Sequence, residues 1–302
     1  MTKKKTLFHL MRGIISHKNA AGKKRAVETY QTTLNSLIKF LNNKDIPLSK
    51  IDGDFVMRFE ASLRNRGLCK NTTSFYLRIL RTALNIAHEQ GIVKLPVNLF
   101  KSAYTGIDAT QKRAITIENI RQIRNLDLSN NYALNFARNI FMLSFYLRGM
   151  SFIDMAYLKK SDVSGGTLTY IRHKTGQRLT IRWESCMQSI VDLYSHRCIK
   201  PYLLPIITNS HKDPRRQYQN MLAKVNRNLA KIANMIGVTE LTMYVARHSW
   251  ASIAQSENIP LNIISSGMGH TSENTTRIYL AFICTEAVDS ANAQILNKLD
   301  FS

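Results

Sequence analysis

Apolar residues recur along most of this chain at the spacing of one helix face, and that periodicity confines it to a mainly helical fold. Between Lys23 and Leu41 they fall at Val27, Tyr30, Leu34, Leu37, Ile38 and Leu41, in steps of 3, 4, 3, 1 and 3 residues. Asn42, Asn43 and Pro47 then end the pattern. A second helix is expected from Asp54 to about Arg64, with Phe55, Val56, Phe59 and Leu63 inward. A third begins with an Asn71 cap and turns Tyr76, Ile79, Leu80, Ala83, Leu84 and Ala87 to the same side. Three short helices make a small bundle, whose polar faces carry Lys23, Lys24, Arg25, Lys39, Arg58, Arg64, Arg66, Lys70, Arg78 and Arg81.

The periodicity weakens between Gly91 and Arg113, around Pro96 and Gly106, which places a linker near residues 101 to 113. Helices resume near Thr116 to Leu126 and Tyr132 to Leu147, and a third is opened by Ser151. Thr167 to Ile171 and Leu179 to Trp183 alternate as strands do, joined by the basic connection Arg172-His173-Lys174-Thr175-Gly176-Gln177-Arg178. From about Glu184 the pattern is helical again. The expected organisation is a basic N-terminal tail over 1–22, a helical domain over 23–105, and a larger domain over 106–302. The larger domain is mainly helical, with a small antiparallel β-sheet and a C-terminal helix. A length of 302 residues suits two domains at roughly 150 residues each.

Charge narrows the function classes. Lys and Arg number 42 against 20 Asp and Glu, a formal charge of +22, so the chain should attract a polyanion. An apolar share of 44% with only six prolines argues against a disordered chain. No run of about 18 uncharged apolar residues exists, so no membrane association is expected. Met1 to Arg12 leads into no apolar stretch of secretory length, which suggests a cytoplasmic protein. Cys69, Cys186, Cys198 and Cys284 are far apart, form no metal-ligand spacing with His, and are expected to be reduced.

The most informative stretch is Tyr244-Val245-Ala246-Arg247-His248-Ser249-Trp250-Ala251-Ser252, followed by Gly267-Met268-Gly269-His270-Thr271-Ser272 and then Tyr279. It resembles the phage-integrase type of tyrosine recombinase, in which an Arg-His-Ser/Thr helix, a Gly-His turn and a nucleophilic Tyr nine residues later complete the active site. Upstream, Leu147-Arg148-Gly149-Met150 and Lys174-Thr175-Gly176 fit as well, and the resemblance spans Lys23 to Phe282. It implies a core-binding, SAM-like helical domain followed by a catalytic domain. It also implies a site-specific recombinase that cleaves and rejoins double-stranded DNA through a 3′-phosphotyrosine, in DNA integration, inversion or transposition. A homotetramer on two DNA sites, with the two domains clamping opposite faces of the duplex, comes from the resemblance alone.

Attack on a phosphodiester needs a nucleophile, neutralisation of the non-bridging oxygens and a proton for the leaving 5′ oxygen. Tyr279 can supply a phenolic nucleophile, and because a phosphotyrosyl ester retains the bond energy, no cofactor is required. Arg247 offers a planar fork for two phosphate oxygens, a geometry Lys cannot reproduce. His270 can donate to phosphate and help move a proton. In the family a hairpin lysine protonates the leaving oxygen, which points to Lys174. Lys39 and Arg78 are expected among the bundle residues on the DNA backbone.

The chain departs from the family pattern twice. Tyr244 stands where most members have His, three residues before the second arginine; it can donate one hydrogen bond to phosphate or serve only in packing. The family's first arginine lies three residues before an acidic residue, but that position before Asp154 is Ser151, and Arg148 lies three further upstream. A Ser151-x-x-Asp154 capping box with a bend at Gly149 would let Arg148 project beside a helix N-terminus and act as that arginine. A C-terminal helix over Thr285 to Leu299 can pack on its own domain or on a neighbouring subunit. Two other functions stay open: a type IB topoisomerase, which shares the chemistry, and a DNA-binding regulator with a decayed active site.

Overall fold

A computed structural model describes residues 5–108, 113–270 and 276. The chain falls into two compact units, Met1–Thr110 and Gln111–Ser302, each with its own apolar core.

The first unit holds α1 (Leu7–Ala20), α2 (Lys24–Phe40), α3 (Gly53–Asn65) and α4 (Lys70–Glu89). The expected basic tail is thus corrected: most of it is a helix. Leu7, Met11 and Ile14 share one face of α1 and are buried against α2 and α4, and burial of that stripe outweighs the polar residues between them. The bundle therefore has four helices, centred on Leu34, Leu37, Phe59, Leu77 and Leu80. Asn42 and Asn43 end α2 in the left-handed conformation, which Asn tolerates better than most side chains. Asp52 caps α3, its Oδ1 accepting the Phe55 N–H at 2.8 Å.

The chain leaving α4 is strapped back onto it rather than loose. Ser74 Oγ donates to the Gly106 carbonyl at 2.5 Å, and Arg81 donates to Thr105 Oγ1. Asn71 exchanges two hydrogen bonds with the Asp108 backbone, at 2.9 and 2.7 Å.

The second unit comprises α5 (Ile117–Asn125), α6 (Tyr132–Tyr146) and α7 (Phe152–Tyr157), then β1 (Val163–Ser164), β2 (Thr167–Ile171) and β3 (Arg178–Arg182). After the sheet come α8 (Ser185–Tyr194), α9 (Pro214–Ile236), α10 (Met243–Ser256) and α11 (Leu261–Gly267). The strands form one antiparallel sheet in the order β1-β2-β3, with Thr169 opposite Thr180. Strand β1, two residues long, is too short to leave an alternating pattern in the sequence. Nearly all-apolar α6 is the central helix, packed by α5, α8, α9 and α10. That placement brings the C-terminal end of α6 and the middle of α10 together, and the candidate site is built there.

Candidate active site

The C-terminus of α6 forms a Schellman turn. The Gly149 N–H reaches the Ser144 carbonyl at 2.8 Å and the Arg148 N–H reaches Phe145 at 3.1 Å. Arg148 occupies the left-handed position, φ 59°, where glycine is usual and a side chain costs roughly 1–2 kcal/mol. Glycine stands one residue later because Arg247 leaves no room: a Cβ on Gly149 would lie 2.5 Å from the Arg247 Cα. Arg148 itself is half-buried, its aliphatic stem near Gly267.

Arg247 lies on the buried side of α10, only 5% exposed. Its Nη1 donates to the Gly149 carbonyl at 2.9 Å, and its Nη2 to the Met268 carbonyl at 2.7 Å. Nη2 also meets His270 Nε2 at 3.0 Å. The guanidinium thereby ties together three segments that are distant in sequence: the α6–α7 corner, α10, and the turn after α11. Two residues on, buried Ser249 Oγ accepts the Ile115 N–H at 3.0 Å and fixes α10 to the start of the unit.

The tautomer of His270 follows from its partners. A guanidinium only donates, so Nε2 accepts, and Nδ1–H donates to Thr276 Oγ1 at 2.7 Å. Burial, followed by the nearby charges of Arg247, Arg172 and Lys174, pushes the imidazole pKa down to about 4. His270 is therefore neutral near pH 7, with an acceptor rather than a donor at Nε2. The donor role expected from the sequence requires the ring to gain a proton or change tautomer.

The β2–β3 hairpin presents Lys174 at an exposed turn, closed by Gly176 N–H to the Arg172 carbonyl and Arg172 N–H to the Gln177 carbonyl, both 2.8 Å. Buried Asp154 anchors it. Ser151 Oγ donates to its Oδ2 at 2.6 Å, and its Oδ1 accepts the His173 N–H at 2.8 Å. Ser151 does cap α7, accepting the Asp154 N–H, but the Asp154 carboxylate goes to the Ser151 hydroxyl and the hairpin. The capping box predicted from sequence is only half formed.

Arg172, read from the sequence only as part of the basic hairpin connection, is absent from the candidate site residues. It is 7% exposed and donates to the Gly269 carbonyl. The available signal was strand parity: Leu168 and Tyr170 face inward, and position 172 continues their phase. Burial pushes the Tyr170 hydroxyl up to about 12, Asp154 adds to it, and Arg247, Arg172 and Arg148 oppose it. Thr276, fully buried against His270, is a second missed residue.

Tyr279 and the helix expected over Thr285 to Leu299 lie outside the described residues. Tyr244 is 56% exposed, its ring edge-on to His248 at 4.6 Å between centroids. In the first unit Lys39 is exposed and Arg78 half-buried. Several neighbouring cations have local partners: Arg58 with Asp54 at 2.8 Å, Arg64 with Glu60 at 2.5 Å, and Lys70 with Asp108 at 3.4 Å. Among the described residues no cluster of His, Cys, Asp and Glu suits a metal ion, and no helix is long and apolar enough to cross a membrane.

Comparison with known families gives two matches, the phage integrase SAM-like domain over residues 6–102 and the phage integrase family over residues 114–282. Comparison with curated proteins gives none. Among solved structures, a lambda integrase tetramer bound to a Holliday junction aligns over 92% of this chain and 78% of its own, at 16% identity and a TM-score of 0.70. The Tn1549 transposon integrase in complex with circular-intermediate DNA aligns over 95% and 98%, at 12% identity and a TM-score of 0.68. XerH site-specific recombinase bound to its difH substrate aligns over 88% and 78%, at 19% identity and a TM-score of 0.60. At such identities these structures speak for the fold, while the second family match alone spans more than half of the 302 residues. On that ground the chain belongs to the phage integrase family and is a tyrosine-type site-specific recombinase.

Proposed function

We propose that this recombinase cuts and rejoins double-stranded DNA through a 3′-phosphotyrosine at Tyr279, acting as a homotetramer on two sites of a mobile or invertible element. The observation that carries the reading is the direct bond between Arg247 and His270, which gathers the Arg-Gly-Met corner, the Arg-His-Ser helix and the Gly-Met-Gly-His turn around one point.

In this reading the Tyr279 oxygen attacks the scissile phosphorus and loses its proton, the bond from phosphorus to O5′ breaks, and O5′ leaves as a hydroxyl. Arg247 and Arg148 neutralise the non-bridging oxygens, whose charge grows in the transition state. As the phosphate engages Arg247, the Nε2 lone pair of neutral His270 becomes available to the phenolic proton. Lys174, carried on the hairpin that Asp154 anchors, supplies the proton for O5′. Attack by a 5′ hydroxyl on the phosphotyrosine reverses each transfer, so no nucleotide is consumed. Tyr244, exposed beside Arg247 on α10, supports the phosphate through its hydroxyl. Lys39 and Arg78 contact the DNA backbone from the first unit, where they set position rather than sequence choice.

The test is a nicked suicide substrate, which traps the covalent intermediate because the cleaved 5′ fragment diffuses away. The expected result is a protein–DNA adduct with the native chain and none with Tyr279→Phe. An adduct that persists in Tyr279→Phe, or fails to form with the native chain on its own site, overturns the proposal. Dependence on two matched sites, rather than relaxation of any plasmid, separates recombination from topoisomerase activity.

A further inference from the structure

We infer that Arg172 is a further catalytic residue, a second buried guanidinium for the scissile phosphate that comes from just past the end of β2 and acts beside Arg148 of the α6–α7 corner. The inference rests on the function proposed above.

Two arginines are buried among the described residues, Arg247 at 5% and Arg172 at 7% exposure. They bond to consecutive carbonyls of one turn, Arg247 to Met268 and Arg172 to Gly269, immediately before His270. The Arg172 stem packs beside the turn: a Cβ on Gly269 would lie in ordinary contact, 3.4 Å, with the Arg172 Cδ. Both guanidinium groups therefore border the residue that begins the nucleophile segment.

Arg172 also breaks the rule of its strand. Residues 168, 170 and 172 face inward, yet the inward residue at 172 is the cation, while Ile171 beside it is 66% exposed. Packing alone would favour the reverse order, since a buried ion costs several kcal/mol unless its charge is met. Among the described residues Arg172 forms no ion pair with a carboxylate. Asp154, the buried acid that anchors the hairpin, already serves Ser151, the His173 N–H and the His173 ring. The bond to Gly269 engages one end of a five-donor group. A phosphate arriving at His270 and Arg247 supplies the missing anion, and a planar fork suits two of its oxygens.

The alternative is a pin that merely fastens the Gly269 turn to the sheet, and a substrate of altered charge separates the two. In a suicide substrate whose scissile phosphate is replaced by a methylphosphonate, one non-bridging oxygen becomes a neutral methyl group. A residue that neutralises charge then loses much of its work, whereas a pin is needed equally. Adduct formation by Arg172→Ala should fall about 10²–10³-fold on the phosphate substrate, the loss typical of one transition-state donor, and far less on the methylphosphonate. Equal losses on both substrates, or none on the phosphate, overturn the inference. If Arg172→Ala fails to fold, as judged by melting and DNA binding, Arg172→Lys keeps the charge without the fork. That variant should be at least about tenfold slower on the phosphate, and the wild-type rate would refute the role. Absence of any adduct with the native chain would instead mark failure of the phosphotyrosine reading.

Discussion

Among the described residues, exposed arginine–acid pairs occur in both units, but only the second also buries arginines whole. In the helical bundle, Arg58 and Arg64 sit on the surface and meet an acid one turn earlier on their own helix, at 2.8 and 2.5 Å. In the catalytic unit, Arg247 and Arg172 are buried and donate to backbone carbonyls of turns far away in sequence. An exposed pair such as Arg58–Asp54 is worth about 0–1 kcal/mol, and in both pairs the cation stays accessible although Glu60 is buried. Buried guanidiniums held by carbonyls keep their full charge in a place of reduced dielectric, where it acts strongly on an incoming anion. In the proposed function the net charge of +22 divides into a diffuse part for holding a polyanion and a concentrated part for one phosphate.

The strongest way to break that division is Arg247→Ala. Cleavage should drop about 10²–10³-fold, on the order of 3–4 kcal/mol of transition-state stabilisation, while DNA affinity stays near wild type. Comparable losses of binding and cleavage would show that the buried arginines hold DNA as the surface ones do.

Gly149→Ala probes the packing that sets Arg247 in place. A Cβ 2.5 Å from the Arg247 Cα, on a residue at φ 71°, should cost about 2–4 kcal/mol of stability and lower cleavage as well. Gly176→Ala is the reference, since φ is 68° but nothing lies within 4 Å, so only the conformational cost of about 1–2 kcal/mol remains. Similar melting temperatures for the two variants would remove the close-approach argument.

His270 sharpens the comparison through pH. Its folded pKa, about 4, lies below the ordinary value of 6.5, so between these limits the unfolded chain binds more protons than the folded one. The stability it contributes is complete above pH 6.5 and is lost as pH falls towards 4. Melting temperature should decline over that window, and His270→Gln should flatten the decline. A variant profile parallel to wild type would mean that the imidazole is not held neutral.

The smallest effects belong to the bundle. Lys39→Gln and Arg78→Gln should each weaken DNA binding and reduce its log–log salt slope by roughly 0.9, with the cleavage rate of bound complex unchanged. An unchanged slope would exclude that residue from the backbone contacts.

Much of the fold was legible because helical periodicity is a local property. The expected helices appear as α2 through α7, and the alternating stretches appear as β2 and β3. Helix α1 was hidden because its apolar stripe begins beside Lys3, Lys4 and Lys5, and the short-range charge pattern suggested a tail. The motif residues Arg247 and His270 were identified from order and spacing, and the fold brings them to 3.0 Å. Arg172 was not, because its partner Gly269, 97 residues on, becomes a neighbour only once the hairpin and the last turn close on one another; Thr276 lies only six residues after its partner His270 but belongs to no motif.

By itself the sequence determined the family, the helical class, the excess positive charge and the residue types available for phosphate chemistry, since each is carried by composition or by spacing within a short segment. The tertiary structure decided which guanidiniums are buried, which carbonyls hold them, and which nitrogen of His270 carries the proton. Those are questions of burial and of contacts across as many as 98 residues of chain, and packing settles them where local sequence does not.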